Sequence, residues 1–438
     1  MPGHNGGSAL KGKFRHNAFR IDVTEFDATD NLQEPRGILR KSLDRAAKAF
    51  GAKQTFFLVN GSTVGIQAAI LASTTPGSKL IVDRCCHKSV IAAMILAGVE
   101  PVFIEPEFYS SHGIYGAVHP IAVMDAMHDN PDAVGVVITS PTYYGVCSDI
   151  EKLARHVHSA GMFLLVDEAH GAHFAFSESL PETALSQGAD MVVQSAHKML
   201  PALGQTALLH VGDSKIIAAD RVGRCVNMLQ TSSPSYMLLA SLDMAVHSMG
   251  SDGAKHLDQL IEKITEIKSK IGVLDNISCI VKSSLENDYD IMKMVVDFTG
   301  RGITGYGAAE LLKRDYGIYP EMADERNVLL YFTVGTTLKD LERVDRAITD
   351  ISKTEFKPQT LKAMSMLPPI QMEQRLGTAF YAHTEKIDTG AAIGRVCGEI
   401  VNCCPPCVPI AVPGQLITNQ LVEYINAYTD IDEIEVVV

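Results

Sequence analysis

Met162-Phe163-Leu164-Leu165-Val166-Asp167-Glu168-Ala169-His170, followed by Gln194-Ser195-Ala196-His197-Lys198-Met199-Leu200 beginning 28 residues after Val166, decides how this chain folds. Five apolar residues ending in an acid read as a buried strand with Asp167 at its carboxyl end, where open α/β sheets hold their ligands. Lys198 follows a second short apolar run, 191–193, and has His197 on one side and Met199 and Leu200 on the other. A lysine so placed is partly desolvated, which lowers its pKa. Taken singly, Asp167 reads equally well as the cap of a following helix, and Lys198 as a solvated surface lysine.

Outward from these segments, short apolar runs alternate with helical stretches. Runs 55–59, 79–82, 101–104, 134–138, 162–166, 191–193 and 206–210 read as buried strands, and 64–74, 88–98, 120–128 and 149–160 as helices. That alternation predicts an α/β fold with a mostly parallel sheet covered by helices on both faces. Residues 236–272 read as helix with charged spacing, and a new set of strands and helices starts near Met292, with a strand at 328–332 and a helix at 337–351. The expected organisation is an arm over 1–45, a large cofactor-binding domain over 46–245, a helical linker over 246–291 and a smaller C-terminal α/β domain over 292–438. A chain of 438 residues exceeds what one core usually supports.

Composition narrows the function classes. A net charge of −13 argues against nucleic acid and anionic lipid as partners and mildly favours a cationic substrate. No run of about 18 apolar residues is present to span a bilayer. The start Met1-Pro2-Gly3-His4 lacks a basic segment before an apolar one, so a cytoplasmic protein is expected. Nine cysteines are too few for a disulfide scaffold, and those inside apolar runs read as reduced. The CxxC within Cys403-Cys404-Pro405-Pro406-Cys407 has no second ligand pair nearby, and its prolines favour a plain loop over a metal or redox site.

Further strand-end features join the first two. Asn60-Gly61-Ser62-Thr63 lies between a strand and a helix, where free backbone N–H groups and two hydroxyls suit a phosphate or, equally, an ordinary cap. Ser195 and Thr231 are further hydroxyls for the same anion. His87 follows a strand end, where its ring can lie over a flat cofactor, and His170 or His173 can hold the Asp167 carboxylate. A metal site among Asp167, His170, His173 and His197 is disfavoured because HExxH spacing is absent. A phosphate turn, a stacking ring, an acid for a pyridinium nitrogen and a lysine for an aldehyde, in that chain order, are what pyridoxal 5'-phosphate takes from a protein.

The segments Pro2-Gly3-His4, Asn60 to Thr63, Cys86 to Ser89, Ser140 to Gly145, Asp167 to Phe174, Ser195 to Lys198, Ser233 to Tyr236 and Pro405-Pro406 through Pro413-Gly414 cover nearly the whole chain. In them the chain resembles the Orn/Lys/Arg decarboxylases, pyridoxal-phosphate enzymes of fold type I, the aspartate-aminotransferase fold. The resemblance implies that Lys198 carries the cofactor as a Schiff base, Asp167 pairs with its ring nitrogen, and His87 and Ala169 cover its two faces. It implies that Gly61, Ser62, Thr63, Ser195 and His197 hold the phosphate, that Thr231 reaches it from a neighbouring subunit, and that His170 belongs to the catalytic set. A homodimer or dimer of dimers with shared active sites follows from the same likeness.

Several positions depart from the family pattern: Asn5, Gly204, Cys407, Gln415, and Gly377 to Phe380 where an Arg-Glu-Ala-Phe-like segment is expected. Gln415 replaces a carboxylate expected to face the substrate. The expectation from the resemblance is α-decarboxylation of an arginine-, lysine- or ornithine-type amino acid. The alternatives are another reaction of the same cofactor, such as elimination, replacement, amino transfer, racemisation or oxidation, and a non-catalytic partner subunit that kept the fold.

Overall fold

The computed structural model describes residues 21–361, 365–403 and 407–438, with Cys403 described in its backbone only. Pro2, Gly3, His4, Asn5, Cys404, Pro405 and Pro406 lie outside the described residues. A seven-stranded sheet contains β1 (Gln54–Leu58), β2 (Lys79–Asp83), β3 (Glu100–Ile104), β4 (Ala133–Thr139), β5 (Phe163–Asp167), β6 (Met191–Gln194) and β7 (Ala207–Val211). Their spatial order is β1-β7-β6-β5-β4-β2-β3. From β6 to β3 every pairing is parallel. β7 runs antiparallel to both neighbours, the exception within a mostly parallel sheet, and Thr206 lies outside it. An apolar run carries no direction. The link from β6 contains only the one-turn helix Ala196–Met199, too little helix to run back along the sheet as a parallel crossover ordinarily does.

The period of two in the strands divides the side chains between two helical layers. Leu80, Val82, Leu165, Met191 and Val193 face a core shared with α2 (Gly61–Ser73) and α3 (Lys88–Ala97). Ile81, Val136, Ile138, Leu164, Val166 and Val192 face α4 (Pro120–Asp129) and α5 (Ile150–Ser159). Each such fully buried aliphatic side chain contributes roughly 1.5–3 kcal/mol. Close contact has a local cause at Gly65, where a Cβ would meet Leu58 Cδ1 at 2.7 Å and Val193 Cγ1 at 2.9 Å. Asp149 starts α5 by accepting from Lys152 N at 3.0 Å.

The expected arm over 1–45 ends earlier, because α1 (Ile38–Phe50) buries Leu39, Leu43, Ala46 and Phe50 on one face. The helical stretch at 236–272 is two helices, Tyr236–Ser248 and Ala254–Ile271, separated by a turn at Met249–Gly253 in which Ser251 leaves helical geometry. A second sheet holds β8 (Ser278–Cys279), β9 (Lys293–Asp297), β10 (Met322–Ala323) and β11 (Asn327–Tyr331) in the order β8-β9-β11-β10, antiparallel throughout. Asp288–Tyr289 pairs with Val146–Cys147, which ties this sheet to the loop after β4. Leu367, Cys397, Val401, Ile410, Leu421 and Ile434 form a separate core. The stretch 292–438, expected as one unit, is thus divided between two cores.

Candidate active site

The parallel strands end together, and the last residues of three of them line one cavity of about 240 Å³. Asp83 closes β2, Thr139 closes β4 and Asp167 closes β5, with Thr139 and Asp167 in register. Ser62, His87, Ala169, His170 and Lys198 complete the floor, under walls that include Phe108, Tyr115, Tyr143, Tyr144, Tyr424 and Tyr428. The sheet explains this convergence, since parallel strands bring successive βα turns to one edge.

Lys198 sits on the single turn Ala196–Met199, and its Nζ lies 3.1 Å from His170 Nε2. Burial lowers its pKa, while Asp167 and Glu321 pull the other way. Asp167 is itself raised by burial, against Lys198 and the Ala169 N–H that its Oδ1 accepts at 3.1 Å. His87 caps α3, its Nδ1 accepting from Ser89 N at 3.2 Å. Burial first, then the charges of Lys198 and Lys88, push His87 down to about 4, so its ring is neutral at physiological pH. Asp83 rises to about 7 through burial, despite the N–H groups of Cys85 and Thr139.

The proposed phosphate residues form a neighbouring cluster. Ser195 Oγ donates to Ser62 Oγ at 2.9 Å, and Gly61, at φ +78°, donates its N–H to Gln205 O at 2.9 Å. His197 Nδ1 is 2.8 Å from Thr206 O, so it donates there. Thr63 is exposed, and Thr231 is exposed with its N–H on Asn60 Oδ1 at 3.2 Å. Of this group only Ser62 lines the cavity.

Some expectations fail. Neither His170 nor His173 holds Asp167: His170 bonds Lys198, the Tyr331 hydroxyl and Lys293, and His173 bonds Asp290 at 3.1 Å. The chain turns after Asp167 and carries both rings towards the second sheet. Gln415 does not face the cavity; it is buried, with its Oε1 on Val412 N at 3.2 Å. Gly377 to Phe380 belongs to the helix Leu376–Phe380 against α3 and does not line the cavity either. Cys407, at φ +60°, is disulfide-bonded beside the hairpin Val401–Cys403 and Val408–Ala411, so the segment is not a plain loop.

Sequence reasoning missed the aromatic walls and the layer behind His170. Tyr143 donates to Glu321 Oε1 at 2.5 Å and Tyr144 to Asp324 Oδ2 at 3.3 Å. Both tyrosines stood inside the Ser140 to Gly145 motif, whereas Lys293 and Tyr331 carried no signal beyond their strands. Thr139 Oγ1 is buried without a partner, on the cavity wall next to Asp167. An orphaned hydroxyl beside a buried carboxylate, a neutral imidazole and a desolvated lysine fits a flat heteroaromatic aldehyde with polar substituents. Among the described residues no cluster of three or more His, Cys, Asp or Glu is placed to hold a metal ion.

The family model for the Orn/Lys/Arg decarboxylase major domain matches residues 1–288. The chain belongs to the Orn/Lys/Arg decarboxylase family. Within that family it is 34% identical to an arginine decarboxylase of Bacillus subtilis, over 97% of this chain and 89% of that protein. It is 35% identical to an arginine decarboxylase of Halalkalibacterium halodurans over the same shares. The constitutive lysine decarboxylase of E. coli superposes with a TM-score of 0.81 at 18% identity, covering 96% of this chain and 76% of that one, which shows the fold. Solved structures of other fold type I enzymes share it more distantly.

Proposed function

We propose that this chain catalyses pyridoxal-phosphate-dependent α-decarboxylation of a basic amino acid, arginine foremost. One observation carries the reading: Lys198, Asp167 and His87 meet in a single cavity that, among the described residues, is lined by no arginine and by no lysine besides Lys198. A second carboxylate on the substrate would find no partner there, which disfavours acidic amino acids. The names of the arginine decarboxylases to which the chain is about a third identical support the basic class.

When bound, the cofactor withdraws electrons from the substrate α-carbon. The residues around it divide the remaining work. Lys198 Nζ would supply the amine that holds the cofactor's aldehyde. The Asp167 carboxylate would pair with the ring nitrogen and favour its protonated form, and His87 and Ala169 would hold the ring between them. The tyrosine and phenylalanine walls exclude water from the α-carboxylate, whose loss of charge is favoured in an apolar site. Lys198, hydrogen-bonded to His170 Nε2, returns a proton to the α-carbon from Nζ.

Thr231 is exposed and stands away from its own cavity, which supports the reading that it completes the site of a second subunit in a homodimer. The test is a panel of arginine, lysine, ornithine and neutral amino acids with the holoenzyme, followed by carbon dioxide release, mass spectrometry of products and sedimentation of the same preparation. The expected result is a dimer or larger that converts arginine to agmatine. An intact α-carboxylate in every product defeats the reaction, and a fully active monomer defeats the shared site.

A further inference from the structure

Behind the cavity floor lies a cation that the reaction above does not use. Lys293, on β9, is fully buried, and its Nζ lies 3.2 Å from His170 Nδ1 and 3.3 Å from Tyr143 O. It also stands 3.6 Å from the centre of the Tyr331 ring. The Tyr331 hydroxyl bonds the same His170 nitrogen. On its other side, His170 Nε2 faces Lys198 Nζ at 3.1 Å. Lys198, His170 and Lys293 therefore form one line of nitrogen atoms with a single imidazole between two amines.

We propose that Lys293 is a positioning residue that fixes the His170 proton on Nε2 and thereby holds Lys198 as a free amine. An ammonium has donors and no acceptor, so a charged Lys293 makes Nδ1 the acceptor. The Tyr331 hydroxyl, whose pKa is driven up by burial and by Asp290, Glu321 and Tyr143, keeps its proton and can donate to the same atom. His170 stays neutral, because burial above all, with the charge of Lys293 beside it, holds its pKa well below the ordinary value. Its one proton is left on Nε2 and points at Lys198, which must accept it, and only a neutral amine has the lone pair to do so.

The surroundings are consistent with a cation that is costly but supported. Burial brings Lys293 down to about 7, Lys198 pushes it the same way, and Asp290, Glu321 and Cys147 oppose. Tyr143, Tyr331, Tyr289 and His170 face it as neutral groups, and Lys268 Nζ donates to its backbone oxygen at 2.6 Å. His173 and Asp290, paired at 3.1 Å, supply the nearest carboxylate on its own loop.

The inference rests on Lys198 being the cofactor lysine, and its test separates the two. In the full chain freed of cofactor, the pH dependence of Lys198 labelling by trinitrobenzenesulfonate, read by peptide mass spectrometry, reports the Lys198 pKa directly. Lys293→Met should move the half-reactive pH upward by about one unit, slowing labelling about tenfold below it. Tyr331→Phe should shift it less in the same direction, and it decides the matter if Lys293→Met does not fold by circular dichroism. In a His170→Phe background, Lys293→Met should lose most of its effect. An unchanged Lys198 pKa in folded variants overturns the proposal, and an equal shift without His170 overturns the route through the imidazole. Expected labelling with no carbon dioxide release from any amino acid would instead remove the decarboxylase reading and leave this one standing.

Discussion

The cavity floor and the layer behind it bury the same kinds of charged group to different ends. On the floor, Lys198 and Asp167 open onto a space that a ligand can enter, so an arriving charge can balance each of them. Behind it, Lys293 donates to the neutral acceptors Tyr143 O and His170 Nδ1, and Glu168 is sealed between Ala184 N at 2.8 Å and Gln194 Nε2 at 2.7 Å. Burial depresses both lysines and raises both carboxyls. The difference lies in what can relieve the cost: a bound molecule at the front, fixed protein groups at the back. Front residues are therefore expected to register in turnover, and rear residues in stability and in the pKa values of the front ones.

The largest effect expected from this contrast is at Asp167. Asp167→Asn keeps shape but cannot hold a proton on a ring nitrogen, and turnover should fall about a hundredfold or more while the visible cofactor band survives. Steady-state kinetics beside absorbance spectra would show it. Near wild-type turnover would erase the distinction between front and back.

A smaller effect is expected at Gly145, where the chain crosses Lys293. Its φ is +98°, and an added Cβ would lie 2.7 Å from Lys293 Cγ and 3.0 Å from Lys293 Cβ. Gly145→Ala should destabilise the fold by about 2–5 kcal/mol through strain and overlap together. Gly161, at φ +73° with nothing within 4 Å of its added Cβ, is the control. Gly161→Ala carries only the backbone part, about 1–2 kcal/mol. Urea titration of the pair measures the difference, and equal losses would mean that the space around Lys293 yields freely.

The smallest effect is a slope. Glu168 is raised to about 8 by burial, its two hydrogen bonds pulling the other way. Its native form keeps a proton that the unfolded chain has already lost above the ordinary carboxylate range. Glu168 therefore favours the fold most at low pH, and this contribution is lost as pH rises towards about 8. Glu168→Gln should flatten the fall of Tm between about pH 5 and 8, as thermal scans at several pH values would reveal. An unchanged slope would place the titration elsewhere.

The front of the site was legible because position and chemistry agree there. A strand that ends in Asp167 and a desolvated Lys198 are both unusual, and the residues between strand and helix mark the cavity edge by their order along the chain alone. The rear was not legible. Ile291-Met292-Lys293-Met294-Val295-Val296 reads as a strand with one polar residue, and a lysine there is ordinarily turned to solvent. Only the docking of the second sheet against the loop after β4 makes both faces of β9 interior. Tyr331 is hidden in the same way, and so is the direction of β7. Gln415 misled for the opposite reason: a departure from a family pattern marks a position, but not what that position touches.

The cavity is lined from Ser62 to Thr429, by residues of the parallel sheet and of the last helix, Asn419–Tyr428, and its end. Tyr115 and Tyr428 fasten the two across the chain, through Leu367 N and Ser365 N. Such a site joins residues far apart in sequence, and contacts of that kind form late. During refolding, far-ultraviolet helix signal should return before any cofactor is captured, with capture waiting on the arrival of the segment from Ser365 to Thr429. Synthesis imposes the same order, so the growing chain acquires its sheet early and its chemistry only near the end.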